Sequence, residues 1–473
     1  MRKEEIKQQI LELTKEFSLL AHQSNRPGIE SSKIKPRFEK YKDSIPYAGR
    51  VFDENEVVAA IDSTLDFWLT LGKSGDLFEK KLANFLNVKH SILTNSGSSA
   101  NLLAISALTS FKLGDRKLNK GDEVITVAAG FPTTVAPIIQ NGLVPVFIDN
   151  DPITLNAKNE MLEEAYVEGK TKAVFLAHTL GNPFDLTYVK NFCENKGLWL
   201  LEDNCDALGS LYNNKYTGTF GDISTQSFYP PHHLTLGEGG AINVLNNAKL
   251  RTIIESFRDW GRDCWCISGC DNTCGKRFDF QLGELPHGYD HKFTYSHLGY
   301  NLKPLDIQAA IGVEQLKKLP MFIQARIDNW NYLRTGLDDL TDHFSFMLPT
   351  HAKEWTKDGF KWDESGNTTT PSWFGFMISI KPNPFFTKMD LTRYLDKCKI
   401  GNRNLFGGNL TRQPAFINLI MENPNSFRKV GNLEGADKIM NETLFIGTFP
   451  GLTKEMMDYI IEELHQFIKI NSK

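Results

Sequence analysis

Two adjacent histidines, His232 and His233, lie in the segment Ser227-Phe-Tyr-Pro-Pro-His-His-Leu-Thr-Leu-Gly-Glu-Gly-Gly240. An imidazole can take up and return a proton near neutral pH, so either ring is a candidate general base. No lysine occurs between Lys215 and Lys249, so this stretch offers no amine to form an imine with an aldehyde. The second chemical signal is Cys264-Trp-Cys-Ile-Ser-Gly-Cys-Asp-Asn-Thr-Cys274, which carries four of the seven cysteines. In a reducing compartment such crowding reads as metal ligation more readily than as disulfides. Four thiolates suit zinc or an iron–sulfur cluster, and spacing separates neither of these from unliganded thiols. Cys193 and Cys398 read as isolated thiols.

Three further segments have the residue types of an anion and ring site. In Asn95-Ser-Gly-Ser-Ser-Ala-Asn101, small residues between a strand and a helix let backbone N–H groups approach an anion, which makes Gly97, Ser98 and Ser99 phosphate candidates. The competing reading is a structural turn. Phe131, in Gly130-Phe-Pro-Thr-Thr134, can stack on a planar ring or fill core. In Leu200-Leu-Glu-Asp-Asn-Cys-Asp206, acids follow a buried strand; Asp203 can face a ring nitrogen or cap the next helix. Asn301 in Leu298-Gly-Tyr-Asn-Leu-Lys-Pro304 can donate to a phosphate or cap a helix. Arg403 suits a diphosphate but is equally at home on a surface.

These groups need a frame. The runs 91–94, 124–127, 144–148, 173–176 and 198–201 read as buried strands separated by helix-length segments. That alternation predicts an α/β chain with a mainly parallel sheet flanked by helices over residues 46–320. The change of pattern after residue 320 predicts a smaller α+β domain over 321–473, with 350–372 a polar surface excursion. Residues 1–45 form a charged extension. Ile6, Ile10, Leu13, Phe17 and Leu20 fall at helical spacing, which predicts an amphipathic helix packed on its own domain or on a partner subunit. The 473 residues exceed one ordinary core, and 41% hydrophobic with 23% charged residues is a globular composition. A net charge of −4 gives no electrostatic case for nucleic-acid or membrane binding. No apolar run approaches the roughly 20 residues that span a bilayer. The charged N-terminus is unlike a signal peptide, so the expected location is cytoplasmic.

Taken together and in order, these motifs resemble the DegT/StrS sugar aminotransferase family, over about residues 45–470. Tyr47-Ala-Gly-Arg50, Trp68-Leu-Thr-Leu-Gly72 and Phe78-Glu79 match further family positions. The resemblance implies the type I aspartate-aminotransferase fold and a vitamin B6 cofactor. It places His232 where the family carries its cofactor lysine, with His233 as the rival base. A site without that lysine suits pyridoxamine 5'-phosphate, the amine form of the cofactor, in place of pyridoxal phosphate bound as an imine. The resemblance further implies that Gly97, Ser98 and Ser227 hold the cofactor phosphate, that Phe131 stacks on the ring and that Asp203 meets the pyridine nitrogen. Asn301 would reach the cofactor of a neighbouring subunit, hence a homodimer. Asp206 would belong with the altered chemistry, and Arg403 with the sugar nucleotide.

The histidine and the cysteines together resemble one branch of the family. For that branch, Cys205, Cys264, Cys266 and Cys274 would hold a [2Fe–2S] cluster; Cys270 lies outside that ligand pattern, and a tetrad with Cys270 in place of Cys205 is the alternative the sequence leaves open. The implied reaction is C3 dehydration of a CDP-6-deoxy-4-keto-hexose on the way to 3,6-dideoxyhexoses of bacterial O-antigens. Electrons would come from a separate NADH-dependent flavin/iron–sulfur reductase. Two other readings stand beside it: a cluster-free 3-dehydratase of a GDP-4-keto-6-deoxy sugar, and a non-catalytic, zinc-bearing subunit of the same fold.

Overall fold

A computed structural model describes residues 2–22, 25, 38–264, 266 and 272–471. Cys270 lies outside the described residues. Seven strands of the N-terminal part are β1 (His90–Thr94), β2 (Glu123–Val127), β3 (Val144–Ile148), β4 (Thr171–Ala177), β5 (Trp199–Asp203), β6 (Ile223–Ser227) and β7 (Gly240–Val244). The C-terminal part adds β8 (Phe344–Phe346), β9 (Gly375–Ile380), β10 (Asn402–Asn404), β11 (Arg428–Lys429) and β12 (Thr443–Gly447). The large sheet has the order β1-β7-β6-β5-β4-β2-β3-β11, and only β7 runs against its neighbours. Strands β2 to β5 are almost wholly buried, as expected of a parallel sheet covered on both faces.

All five strand runs read from the sequence are found, 144–148 with the same ends and the others with ends shifted by at most two residues. Strands β6 (Ile-Ser-Thr-Gln-Ser) and β7 were not expected, because their polar residues break the apolar pattern. They are buried all the same, and Ser224 and Asn243 are bonded to one another across the two strands.

The C-terminal part is a four-stranded antiparallel sheet in the order β8-β9-β12-β10. It is not sealed off from the large sheet. One continuous core joins Ala128, Phe147 and Leu180 to Trp330, Phe376 and Phe445, and β11 extends the large sheet's edge. Ile45 pairs with Ile400, so the end of the N-terminal extension packs on the C-terminal part. A 31-residue helix, Asp306–Gly336, ties the two parts together.

The extension forms the helix Arg2–Ala21, which lies against the helix Glu54–Asp66 and pairs Lys7 with Asp62 and Asp66. Its apolar stripe does not face that neighbour: Leu13, Phe17 and Leu20 are exposed. Among the described residues, no helix is long and apolar enough to cross a membrane.

Candidate active site

The carboxyl ends of β1, β2, β5 and β6 converge on one cavity of about 610 Å³, which is where open α/β sheets build their sites. After β1, Ser96 caps the helix Gly97–Leu108, its Oγ accepting from the Ser99 N–H at 3.0 Å. That bond commits Ser99 to the cap, whereas Ser96, Gly97 and Ser98 line the cavity. A Cβ on Gly97 would come 2.5 Å from the Ser227 Cβ, so the helix start and the end of β6 meet only because position 97 has no side chain. A helix N-terminus with small neighbours and a serine opposite is the cradle that an anionic group needs.

Asp203 ends β5 with its carboxylate turned into the cavity. One oxygen accepts from Asn101 Nδ2 (2.9 Å) and Thr134 Oγ1 (2.7 Å), the other from the Cys205 N–H (3.2 Å). Strand alternation sends its neighbour Glu202 to the opposite face. There the backbone N–H groups of Gly218, Phe220 and Gly221 and the His178 ring hold it. Asp203 is thus the acid of this pair that can meet a bound ring. Phe131 lies at the cavity wall, about half exposed. These residues fit a vitamin B6 cofactor: a phosphate cradle, an aromatic wall and a fixed carboxylate.

His232 lines the cavity, and His233 does not. The His233 Nε2 donates to the Ser372 carbonyl at 2.7 Å, and the ring is buried away from the site. Among the described residues that line the cavity there is no lysine. The Nδ1 of His232 is 3.6 Å from an oxygen of Asp206, beyond hydrogen-bond range. Burial, then the Arg326 charge, pulls the His232 imidazole down to about 3, so it is a neutral base at physiological pH. Burial and the nearby Asp203 charge push the Asp206 carboxyl up to about 8, so it keeps its proton. A neutral base and a neutral acid side by side can divide proton-transfer roles between them.

Arg326, Asn101 and Thr134 were not singled out in the sequence. Arg326 is buried on the long helix and donates to four carbonyls, those of Pro231, His232, Trp373 and Phe374. It staples the His232 loop to the C-terminal part. No local pattern marks it, since its partners lie 47 to 95 residues away. Asn101 had a signal: it falls one helical turn beyond Gly97 and so shares its face.

Arg403 also lines the cavity, with its guanidinium over the Tyr47 ring at 4.2 Å. Asn301 does not reach this cavity. It is exposed, its Oδ1 accepting from Lys303 Nζ at 2.9 Å. The predicted cysteines divide. Cys264 and Cys266 come together with His291, all three donor atoms within 4.8 Å of one another. The Cys274 Sγ is 3.5 Å from His291 Nε2. Cys205 instead lines the cavity at the strand ends.

Residues 51–465 match the model of the DegT/DnrJ/EryC1/StrS aminotransferase family. The chain belongs to this family. It is 51% identical over 427 residues to the lipopolysaccharide biosynthesis protein RfbH of Salmonella typhimurium, covering 90% of this chain and 92% of that protein. It is 46% identical to the dTDP-4-dehydro-2,6-dideoxy-D-glucose 3-dehydratase of Saccharopolyspora spinosa, covering 92% and 89%. The fold superimposes on the E. coli GDP-4-keto-6-deoxy-D-mannose-3-dehydratase structure with bound hydrated PLP at a TM-score of 0.76 and 29% identity. That match covers 89% of this chain and 99% of the other. The expected aminotransferase fold is therefore borne out.

Proposed function

We propose that this chain is a pyridoxamine phosphate-dependent 3-dehydratase of a 4-keto-6-deoxy sugar nucleotide. The observation that carries the reading is a neutral histidine, with no lysine, facing a cavity otherwise equipped for a vitamin B6 cofactor. The similarity to two named 3-dehydratases, one acting on a dTDP sugar and one on a GDP sugar, supports the reaction type.

Gly97, Ser98 and Ser227 hold the cofactor phosphate, Phe131 covers one ring face and Asp203 keeps the pyridine nitrogen protonated. When bound, the cofactor supplies an amine for the C4 carbonyl and a ring that takes up electrons. His232 accepts the proton released at the reacting carbon. Asp206 gives a proton to the C3 hydroxyl, which leaves as water. Arg403 at the cavity mouth binds the diphosphate, and the nucleotide is CDP. Asn301 comes from a second copy of the chain. A homodimer is supported by the exposed apolar residues Trp68, Leu298 and Leu305 around that loop.

Cys205, Cys264, Cys266 and Cys274 would hold a [2Fe–2S] cluster, which would supply two electrons, one at a time, drawn from a separate NADH-dependent flavin/iron–sulfur reductase. With two protons they convert the dehydrated sugar into the 3-deoxy product, an O-antigen precursor. The similarity to a lipopolysaccharide biosynthesis protein supports this placement. The test is a panel of CDP-, dTDP- and GDP-4-keto-6-deoxyhexoses with pyridoxamine phosphate and a reductase. CDP-sugar turnover should exceed the others at least tenfold; equal turnover, or a preference for another nucleotide, contradicts the assignment.

A further inference from the structure

We infer that Arg326 is a positioning residue of the proton-transfer pair: it fixes His232 against the cavity wall and sets a permanent positive charge behind Asp206. The inference rests on the reading of Asp206 as the proton donor. Arg326 is buried on the helix Asp306–Gly336, and among the described residues no carboxylate forms an ion pair with it. A guanidinium stays charged, and burying one without such a partner costs the fold more than a neutral side chain would. Two of its bonds go to the carbonyls of Pro231 and His232, at 3.2 and 3.0 Å. The other two go to the carbonyls of Trp373 and Phe374, at 3.2 and 3.3 Å. The Phe374 ring lines the cavity 5.2 Å from the His232 ring. One planar fork therefore fixes the base and the wall beside it together.

The charge acts one residue further on, because the His232 Nδ1 is 3.6 Å from Asp206. When Asp206 passes its proton to the C3 oxygen, the C3–O bond breaks with its electron pair on oxygen, water leaves and a carboxylate remains. An anion formed in a buried site needs a countercharge already in place. The titratable and charged groups around the pair are Asp203 and Cys205 on the loop of Asp206, Tyr229, His232 and His233 after β6, and Arg326 on the long helix. The segment after β4 adds only the Leu180 N–H. Arg326 alone among these is always a cation. Burial and the Asp203 charge push the Asp206 carboxyl up, and the Leu180 N–H and the Arg326 charge pull against them. On His232 the same charge adds to burial in disfavouring the imidazolium. Arg326 thus lowers the proton affinity of both members of the pair.

The test compares full-length wild type with Arg326→Gln, which keeps an amide for the carbonyls but drops the charge, and Arg326→Lys, which keeps the charge but loses the four-way fork. Dehydration of the sugar nucleotide with pyridoxamine phosphate is followed against pH. In Arg326→Gln both limbs of the kcat profile should move to higher pH, the alkaline limb by about one unit or more. In Arg326→Lys the limbs should stay in place while kcat falls about tenfold with little change in KM. A second readout needs no turnover. In cofactor-free protein, the pH window over which urea stability falls should extend upward in Arg326→Gln by the same amount as the alkaline limb. Lost kcat with both limbs in place would make Arg326 a staple only and overturn the charge role. If Arg326→Gln does not fold, Arg326→Lys decides: limbs in place with slower turnover support the inference, and an alkaline limb moved up overturns it. Undiminished dehydration by Asp206→Asn overturns the donor reading itself and the inference with it, whereas an impaired Asp206→Asn beside unmoved limbs in Arg326→Gln overturns only the role of Arg326.

Discussion

Replacing Asp206 by Asn should stabilise the protein while impairing turnover, and the size of the effect should depend on pH in a calculable way. The carboxyl is pushed up to about 8 in the folded chain by burial and by the Asp203 charge, against about 4 when unfolded. Between these values the folded state binds the proton and the unfolded state does not, so stability falls as pH rises through that window. One pH unit is worth about 1.4 kcal/mol, giving a cost of about 1 kcal/mol at pH 4.5 and about 4 kcal/mol at pH 7. Asn is neutral and nearly the same shape, so Asp206→Asn removes the cost. Urea unfolding of cofactor-free protein at pH 4.5, 6 and 7 should therefore show a gap that widens with pH in the variant's favour. The same variant should turn over slowly, having lost its proton donor, and the wild type should lose activity above about pH 8 as Asp206 ionises. A pH-independent gap, or a variant less stable than wild type at pH 7, would refute the claim that Asp206 is held neutral.

Other perturbations separate the parts of the site. His232→Asn should keep cofactor binding but slow C3–O cleavage by about 10²–10⁴-fold, the usual worth of a general base; undiminished dehydration sinks the base assignment. Gly97→Ala puts a methyl 2.5 Å from the Ser227 Cβ, so cofactor affinity, measured by fluorescence titration, should drop at least tenfold; unchanged affinity places the phosphate elsewhere. Cys266→Ala should lose the metal and the reductive step while the dehydration half-reaction continues in a single-turnover assay; normal reduction contradicts the electron route.

Much of this frame is legible in the sequence because the parallel strands are short, apolar and regularly interrupted. Strands β6 and β7 are not, since Ser224, Gln226 and Asn243 break the apolar run although all three are buried. Ser224 and Asn243 bond to one another across the two strands, a contact that only the fold creates, whereas the Gln226 amide is buried with no hydrogen-bond partner among the described residues. The choice between His232 and His233 illustrates the same limit. Adjacent imidazoles have the same chemistry on paper, and the Ser372 carbonyl, 139 residues away, is what turns His233 out of the site. Arg326 is invisible for the same reason, and its four carbonyl partners assemble only when the long helix docks. The N-terminal helix was legible as a helix, but not the direction of its apolar stripe. The polar pairing of Lys7 with Asp62 and Asp66 sets how it lies on its neighbour.

The central claim is that this cavity removes the C3 hydroxyl of a 4-keto sugar nucleotide instead of aminating C4. The direct test is a CDP-4-keto-6-deoxyhexose carrying ¹⁸O at C3, incubated with the protein and pyridoxamine phosphate and followed by mass spectrometry. Release of the label to water, dependent on both protein and cofactor, is the predicted result. Transfer of the amine to C4 with the C3 label intact would contradict it.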